Sequence, residues 1–449
     1  MIDVKNKSVT ILGAARSGIA AAKLLKIQQA NVFVSDIADE DQKVSEMQIL
    51  KEENIEFEFG QHSERVFNAD FTVLSPGIPS DSTLVKTLFA KKIPVYSELE
   101  IASWFCASPI IAITGSNGKT TTTTLVGEML RTETPGSIVA GNIGNAFSDF
   151  VLKSNESTWA TVEVSSFQLE TIDTFHPRVV LILNLAPNHL DWYNSYEDYV
   201  SAKLRILKNL QEHDYLVYNA DDQFLSEKVK HCRAIKKTFS LHDKNTSIYL
   251  DKTSICYEDK ELINTHQIRL RGSHNYQNAM AAILAVKIAG IHDTNIVRVL
   301  KEFPGVEHRL EHVAEINNIT FINDSKATTV ESLAVALTSF ETPLILIAGG
   351  KDKGGDYRKI KHLIKENVHR VILIGAAKER MADAWHDIVP VDFSDTLADA
   401  VDIAFRSARS GDNILLSPAC SSFDMFKDFE DRGRQFKDIV NSLKFSDEN

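Results

Sequence analysis

A chain of 449 residues is too long for one ordinary hydrophobic core, and its length suggests about three domains. Hydrophobic residues make up 43% and charged residues 24%, the balance of a soluble globular protein. The formal net charge of −12 argues against nucleic acid or an anionic membrane as the main partner, while local Lys and Gly-rich loops remain able to hold a small anion.

The first residues lead directly into "SVTILGAA", without a charged segment ahead of an apolar one, so no signal peptide is expected. "SVTILG", "NVFVSD" and "FTVLSPG" read as buried parallel strands, each closing on a Gly- or Asp-bearing turn. "SGIAAAKLLKIQQ" between the first two reads as a helix, which makes a βαβ unit ending near "KKIPVYSELE". A second αβ region has strands "IIAITG", "WATVEVS", "VVLILN" and "YLVYNAD", with a helix opening at Lys119 and a long one over "SYEDYVSAKLRILKNL". "SIYLDKTSICYEDKELI" alternates like antiparallel strands, and the helix "NYQNAMAAILAVKIAG" closes the region. From about Phe303 a third region carries strands "TFINDS", "PLILIAGG", "RVILIG" and "NILLSPA". No repeat of solenoid period and no low-complexity linker interrupts this order, so three αβ domains in series are expected. Apolar runs such as "VVLILNLA" fall far short of the ~20 residues that span a bilayer, so no membrane insertion is expected. Cys106, Cys232, Cys256 and Cys420 form no C-x-x-C pair, which points to reduced thiols in a cytoplasmic protein.

Gly115-Ser116-Asn117-Gly118-Lys119-Thr120 lies between an apolar strand and a helix start. That is the arrangement in which backbone N–H groups and a helix N-terminus face phosphate oxygens, with Lys119 neutralising charge and the Thr120 hydroxyl ligating Mg2+. The loop is the short G-x-x-G-K-T form, because Ile113 stands where the longer motif has its first Gly. The alternative is a purely structural turn. Gly13-Ala14-Ala15-Arg16-Ser17-Gly18 also follows a strand and opens a helix, and Asp36 ends the next strand. This is similar to a dinucleotide fingerprint, yet Ala15 replaces the middle glycine, so the loop suits a phosphate-bearing group better than NAD specifically. Tight helix–strand packing is the bland alternative.

Downstream, Glu163 stands between Val162 and Val164, where a carboxylate needs a partner. A metal ion and a salt bridge are equally open readings. A loop with Asn188, His189 and Asp191 follows the next strand, and Lys203 and Arg205 lie on a helix with apolar neighbours, where a lysine ordinarily snorkels. Placed after a phosphate loop, these residues together suggest Mg2+-nucleotide chemistry.

With the phosphate loop, the segments "EVSSFQLE", "PNHLD", "AKLRI", "HNYQNA", "HRLE", "NDSKATT" and "SPACSSFDMFKDFEDRG" occur in the order seen in Mur ligases. The resemblance runs over nearly the whole chain, and "SSFQLE" with the last two segments resembles the D-glutamate-adding branch. It implies a Rossmann-like UDP-binding domain at residues 1–96, a central P-loop ATPase domain at 97–303 and a Rossmann-like amino-acid-binding domain at 304–449. It also implies a cytoplasmic enzyme, expected to be a monomer, that uses ATP and two Mg2+ ions to join D-glutamate to UDP-N-acetylmuramoyl-L-alanine through an acyl phosphate. Positioning and charge neutralisation would then be most of its work.

The same resemblance supplies roles. Lys119, Thr120 and Thr121, with Gly115, Ser116, Asn117 and Gly118, would hold the ATP phosphates and one Mg2+, which Glu163 also ligates. His189 would ligate a second Mg2+, helped by Lys203 if that lysine is carbamylated. Asn142 would contact ATP or the reacting carboxylate, Asn275 and Asn278 would lie on the adenine side, and Arg309 and Asp324 would bring the third domain to the nucleotide. Gly13, Arg16, Ser17 and Gly18 would hold the UDP diphosphate, with Asp36, Ser75, Pro76 and Gly77 near the uridine. Lys326, Thr328, Lys353, Ser422 and Phe429 would hold D-glutamate, whose two carboxylates need cations and hydroxyls. The family's Asp-Gly-Lys after the Gly pair is here Lys351-Asp352-Lys353, so either lysine could face the amino acid, with the register favouring Lys353. The other readings are a superfamily ligase for a different amino acid, a nucleotide-dependent switch without chemistry, and a nicotinamide dehydrogenase.

Overall fold

The computed structural model describes residues 2–186, 192–270, 272–340, 342–352 and 354–446. The chain divides into two compact units, Met1–Phe303 and Pro304–Asn449.

The first unit holds two sheets. The N-terminal sheet comprises β1 (Ser8–Leu12), β2 (Asn31–Asp36), β3 (Glu56–Phe59), β4 (Phe71–Leu74) and β5 (Val95–Ser97), all parallel, in the order β3-β2-β1-β4-β5. The strand order reverses at β1, so the loops after β1 and β4 flank a crevice at their carboxyl ends, the usual ligand position in such sheets. The second sheet comprises β6 (Ile110–Thr114), β7 (Ile138–Gly141), β8 (Ala160–Glu163), β9 (Val179–Ile182), β10 (Tyr215–Asn219), β11 (Ile235–Ser240), β12 (Ile248–Asp251), β13 (Ser254–Tyr257) and β14 (Lys260–Asn264). Its order is β14-β13-β12-β11-β10-β9-β6-β8-β7. Strands β6, β8 and β9 are buried along their whole length, as expected of parallel strands covered on both faces. The alternating segment expected to be antiparallel forms the β12-β13-β14 meander at one edge.

One apolar cluster runs through both sheets of this unit, from Val9 and Ile11 through Leu99 and Phe147 to Val162 and Val180. The short helix Glu98–Ser103 is wedged there, and two of its acidic residues are buried. Glu98, 1% exposed, accepts the Ser148 N–H at 2.6 Å, and burial pushes its carboxyl up to about 7. Glu100 accepts the backbone N–H groups of Asp173, Thr174 and Phe175 at 2.8–2.9 Å.

The helix expected over "SYEDYVSAKLRILKNL" is shorter, Tyr196–Leu204, and passes into a 3-10 turn at Arg205–Leu207. The Arg205 guanidinium donates to the Leu169 and Ile172 carbonyls, which fixes the chain where the helix tightens. The helix Ser273–Ile288 is buried from Asn278 to Val286, consistent with its nearly all-round apolar sequence.

The second unit has β15 (Glu311–Ile316), β16 (Ile319–Asn323), β17 (Leu344–Gly349), β18 (Val368–Ile374), β19 (Val391–Phe393) and β20 (Asn413–Leu416), in the order β15-β16-β20-β17-β18-β19. Only β15 pairs antiparallel. The loops after β16, β20 and β17 therefore emerge side by side. The helix Phe429–Ser446 follows the last of them in sequence and packs on β15 and β16. Among the described residues, no helix is long and apolar enough to cross a membrane.

Candidate active site

The phosphate-type loop follows β6, an interior strand of the larger sheet between β9 and β8. Gly115 and Gly118 have φ of +154° and +81°, and Gly118 is the N-cap of the helix Lys119–Arg131. A Cβ on Gly118 would stand 2.2 Å from Asn278 Oδ1, so only glycine lets the helix Ser273–Ile288 approach the loop. The expected adenine-side residues are thus brought to the loop: Asn278 packs on it, and its Nδ2 donates to Asn275 Oδ1 at 3.3 Å.

Lys119 Nζ folds back on the loop and donates to the Gly115 and Ser116 carbonyls at 2.8 and 2.9 Å. Thr120 and Thr121 are buried, 4% and 7% exposed. On the adjacent strand, Glu163 is 2% exposed. Its Oε1 accepts from Asn142 Nδ2 at 2.9 Å, while Oε2 is buried with no hydrogen-bond partner. Asn142 is fixed a second time, through its N–H to the Glu163 carbonyl at 2.9 Å. Among the described residues Glu163 forms no salt bridge; the neighbour of its Oε1 is the Asn142 amide.

Lys203, on the helix Tyr196–Leu204, is 2% exposed rather than snorkelling. Its Nζ donates to the Gly115 carbonyl at 3.0 Å and lies 4.8 Å from the Tyr199 ring centroid. Burial, and then the nearby Lys119 charge, hold its pKa well below that of an ordinary lysine, with Glu163 opposing. A depressed pKa shifts the balance toward the neutral, nucleophilic form of the amine.

Two residues that the sequence pattern did not single out complete this cluster. Asn184, just after β9, accepts the Asn117 N–H at 2.9 Å and donates to the Asn117 carbonyl at 3.2 Å. Tyr199, fully buried, pairs with Ser116 Oγ at 3.0 Å. Asn184 ends the run "VVLILN", where a polar residue closing a buried strand was the available signal. His189, with Asn188 and Asp191, lies outside the described residues.

At the N-terminal sheet, Gly13 has φ +89°, and a Cβ there would meet Ser75 at 2.9 Å. Ser75 Oγ donates to the Gly13 carbonyl at 2.9 Å, so the loops after β1 and β4 are tied together across the crevice. Gly18 packs against the Gly13 carbonyl. Asp36 accepts the Ala14 and Ala38 N–H groups at 2.6 and 2.9 Å, which shapes the loop. Arg16 and Gly77 are exposed and Ser17 and Pro76 partly so. The Arg16 guanidinium donates to the Gly144 carbonyl in the loop after β7.

In the second unit, Asp324 is 5% exposed and accepts Ser417 Oγ at 2.8 Å. Burial pushes its carboxyl up to about 7, opposed by the Ser417 bond and the Arg309 charge. Arg309 Nε is buried without a hydrogen-bond partner. Lys326 Nζ lies 5.5 Å from the Phe429 ring centroid, Ser422 is 2% exposed and Thr328 is partly exposed. Lys351 exchanges backbone hydrogen bonds with Ser421, joining the loops after β17 and β20, and Lys353 lies outside the described residues. In the first unit, a cavity of about 500 Å3 beside Trp104, Arg178 and Asp214 sits at the N-terminal ends of β6, β9 and β10, the end of the sheet opposite the phosphate loop.

Comparison with known proteins gives three domain matches along the chain: the MurD N-terminal domain over 9–84, the Mur ligase middle domain over 113–286 and the Mur ligase glutamate ligase domain over 308–420. The UDP-N-acetylmuramoylalanine–D-glutamate ligase of Chloroherpeton thalassium is 41% identical, with 98% of this chain and 99% of that protein covered. The enzyme of the same name from Geotalea uraniireducens is 41% identical, over 98% and 99%. Among solved structures, the UDP-N-acetylmuramate–alanine ligase of Thermotoga maritima matches with TM-score 0.62 at 19% identity, over 97% and 100% of the two chains, a likeness of fold. Three domain matches in series and end-to-end relatives at this identity place the chain in the Mur ligase family.

Proposed function

We propose that this chain is the ATP-dependent ligase that joins D-glutamate to UDP-N-acetylmuramoyl-L-alanine in peptidoglycan precursor synthesis. The end-to-end identity with ligases of that name carries the reading. Residues 1–96 hold the UDP portion, 97–303 the ATP and 304–449 the amino acid, in a cytoplasmic monomer.

A carboxylate is a poor electrophile, so its oxygen first takes the γ-phosphoryl group of ATP to give an acyl phosphate, and ADP leaves. The D-glutamate amine then attacks, and phosphate leaves from a tetrahedral intermediate. In this reading the loop 115–120 cradles the phosphates and Lys119 swings from its carbonyl partners to the β/γ-phosphate charge. Asn142 and Glu163 act as a pair, one oriented by the other. Arg16, Ser17 and the helix start behind them take the diphosphate. Lys326, Thr328, Lys353, Ser422 and Phe429 frame D-glutamate.

The Oε2 of Glu163, without a hydrogen-bond partner, fits a divalent cation, and Thr120 and His189 would share in holding two Mg2+ ions. Bound Mg2+ would supply charge neutralisation on the phosphate oxygens. The lowered pKa of Lys203 favours the amine form that carbamylation requires: its lone pair adds to CO2, a proton is released, and the product is an anion beside the loop.

Phosphate release from ATP-Mg2+ with UDP-N-acetylmuramoyl-L-alanine tests the reading. Release with D-glutamate and not with L-glutamate or no amino acid is expected. Release with another amino acid would replace the specificity. No release from folded, ATP-binding protein would leave a nucleotide switch.

A further inference from the structure

Arg432 is charged, fully buried and without a role in any of the sites described above. Burial lowers its pKa only to about 10, so the guanidinium is protonated at neutral pH. A cation in such a place is costly unless its donors are used, and they are used on particular loops. Nε donates to Ser325 Oγ at 2.9 Å and Nη2 to the Ser325 carbonyl at 2.9 Å, on the loop after β16. Nη1 and Nη2 both donate to the Cys420 carbonyl at 3.3 Å, on the loop after β20. Gly350, on the loop after β17, comes so close that a Cβ there would stand 3.2 Å from Nη1. Ser325 Oγ passes the connection on, donating to the Phe429 carbonyl at 2.8 Å at the start of Arg432's own helix.

We infer that Arg432 is the positioning residue of the amino-acid site: one planar guanidinium sets the mutual spacing of the two loops and the helix start that carry Lys326, Thr328, Ser422 and Phe429. This inference rests on the assignment of those residues to D-glutamate. Each lies within a few positions of an atom that Arg432 or Ser325 holds. The fork is what matters, because carbonyls on two separate loops are held at fixed directions by one rigid plane. Lysine keeps the charge and offers one point of attachment, so the loops would part while the fold persists.

The test is steady-state kinetics on the full chain, with KM determined separately for D-glutamate, ATP and UDP-N-acetylmuramoyl-L-alanine, in the wild type, Arg432→Lys and Ser325→Ala. Wild-type turnover that depends on D-glutamate establishes the underlying reading first; its absence overturns that reading, and the wild type alone reveals it, separately from any effect of the substitutions. For Arg432→Lys, a rise of tenfold or more in the KM for D-glutamate is expected, with the other two KM values within twofold. Ser325→Ala keeps the guanidinium and removes its Nε partner, so a rise of about threefold in the same constant is expected, and this variant stands in if Arg432→Lys fails to fold. An unchanged KM for D-glutamate in a folded variant, or an equal loss against all three substrates, overturns the inference.

Discussion

Gly118→Ala isolates the phosphate loop from the rest of the molecule. At φ +81° an alanine carries a backbone strain of about 1–2 kcal/mol. Its Cβ would lie 2.2 Å from Asn278 Oδ1, whereas ordinary contact begins at 3.4 Å, so the amide must retreat by about 1.2 Å or the loop must lift by as much. Asn278 is 6% exposed and has little room, so the displacement falls largely on the loop. A charged hydrogen bond to phosphate contributes about 1.5 kcal/mol or more, and losing one or two of them raises the KM for ATP by about 10- to 150-fold. Gly136→Ala is the control: its φ is +93°, but the nearest atom, Thr158 Cγ2, is 3.7 Å from the added Cβ. It should lower the thermal midpoint by a similar strain and leave the KM for ATP within twofold. Calorimetric ATP binding and a melting curve on both variants decide the matter. An unaltered ATP affinity in folded Gly118→Ala would refute the phosphate-cradle assignment.

Lys203→Ala should lose at least about 100-fold in kcat, with partial recovery in high bicarbonate or a short carboxylic acid; a carbamate carbon signal from labelled bicarbonate should be present in the wild type and missing in the variant. Failure of both rescue and signal would exclude the carbamate. Glu163→Gln removes the anion and keeps the size, so the Mg2+ concentration for half-maximal turnover should rise tenfold or more; an unchanged metal dependence would exclude Glu163 as a ligand. For Glu98, the folded pKa of about 7 lies above its ordinary 4.5. The protonated form therefore favours the folded state, and that stabilisation is complete below pH 4.5 and lost as pH rises through about 7, by about 3 kcal/mol in all. Glu98→Gln should be the more stable protein at about pH 8.5 in urea unfolding and should flatten the pH dependence; a profile identical to wild type would count against a neutral Glu98.

The phosphate loop was legible because it needs glycine at fixed spacing, and backbone strain is a property that sequence displays directly. Glu163 was legible for the opposite reason: a carboxylate inside "TVEVS" is out of place without a partner, although the sequence could not choose between partners. The burial of Lys203 and of Arg432 was not legible from pattern. A long cation on a helix ordinarily keeps its charge in water, and only packing reveals that both are buried. Family resemblance pointed to Lys203; nothing singled out Arg432 within "DFEDRG". Short strands such as Glu56–Phe59 and Val95–Ser97 were also missed, since a few residues at a sheet edge carry too little alternation to register. The shared apolar core of the two N-terminal sheets depends on contacts remote in sequence, which local periodicity does not encode.

The loop that leaves β7 is held from three directions. Asn142 grips Glu163, Gly144 takes the Arg16 guanidinium, and Ser148 is anchored on buried Glu98. Surface loops ordinarily absorb insertions at little cost, but this one has no slack to give. Adding or deleting a residue between Asn142 and Ser148 would put at least one of the three attachments out of register. Its length, more than the identity of its intervening residues, should therefore be the quantity that evolution holds constant.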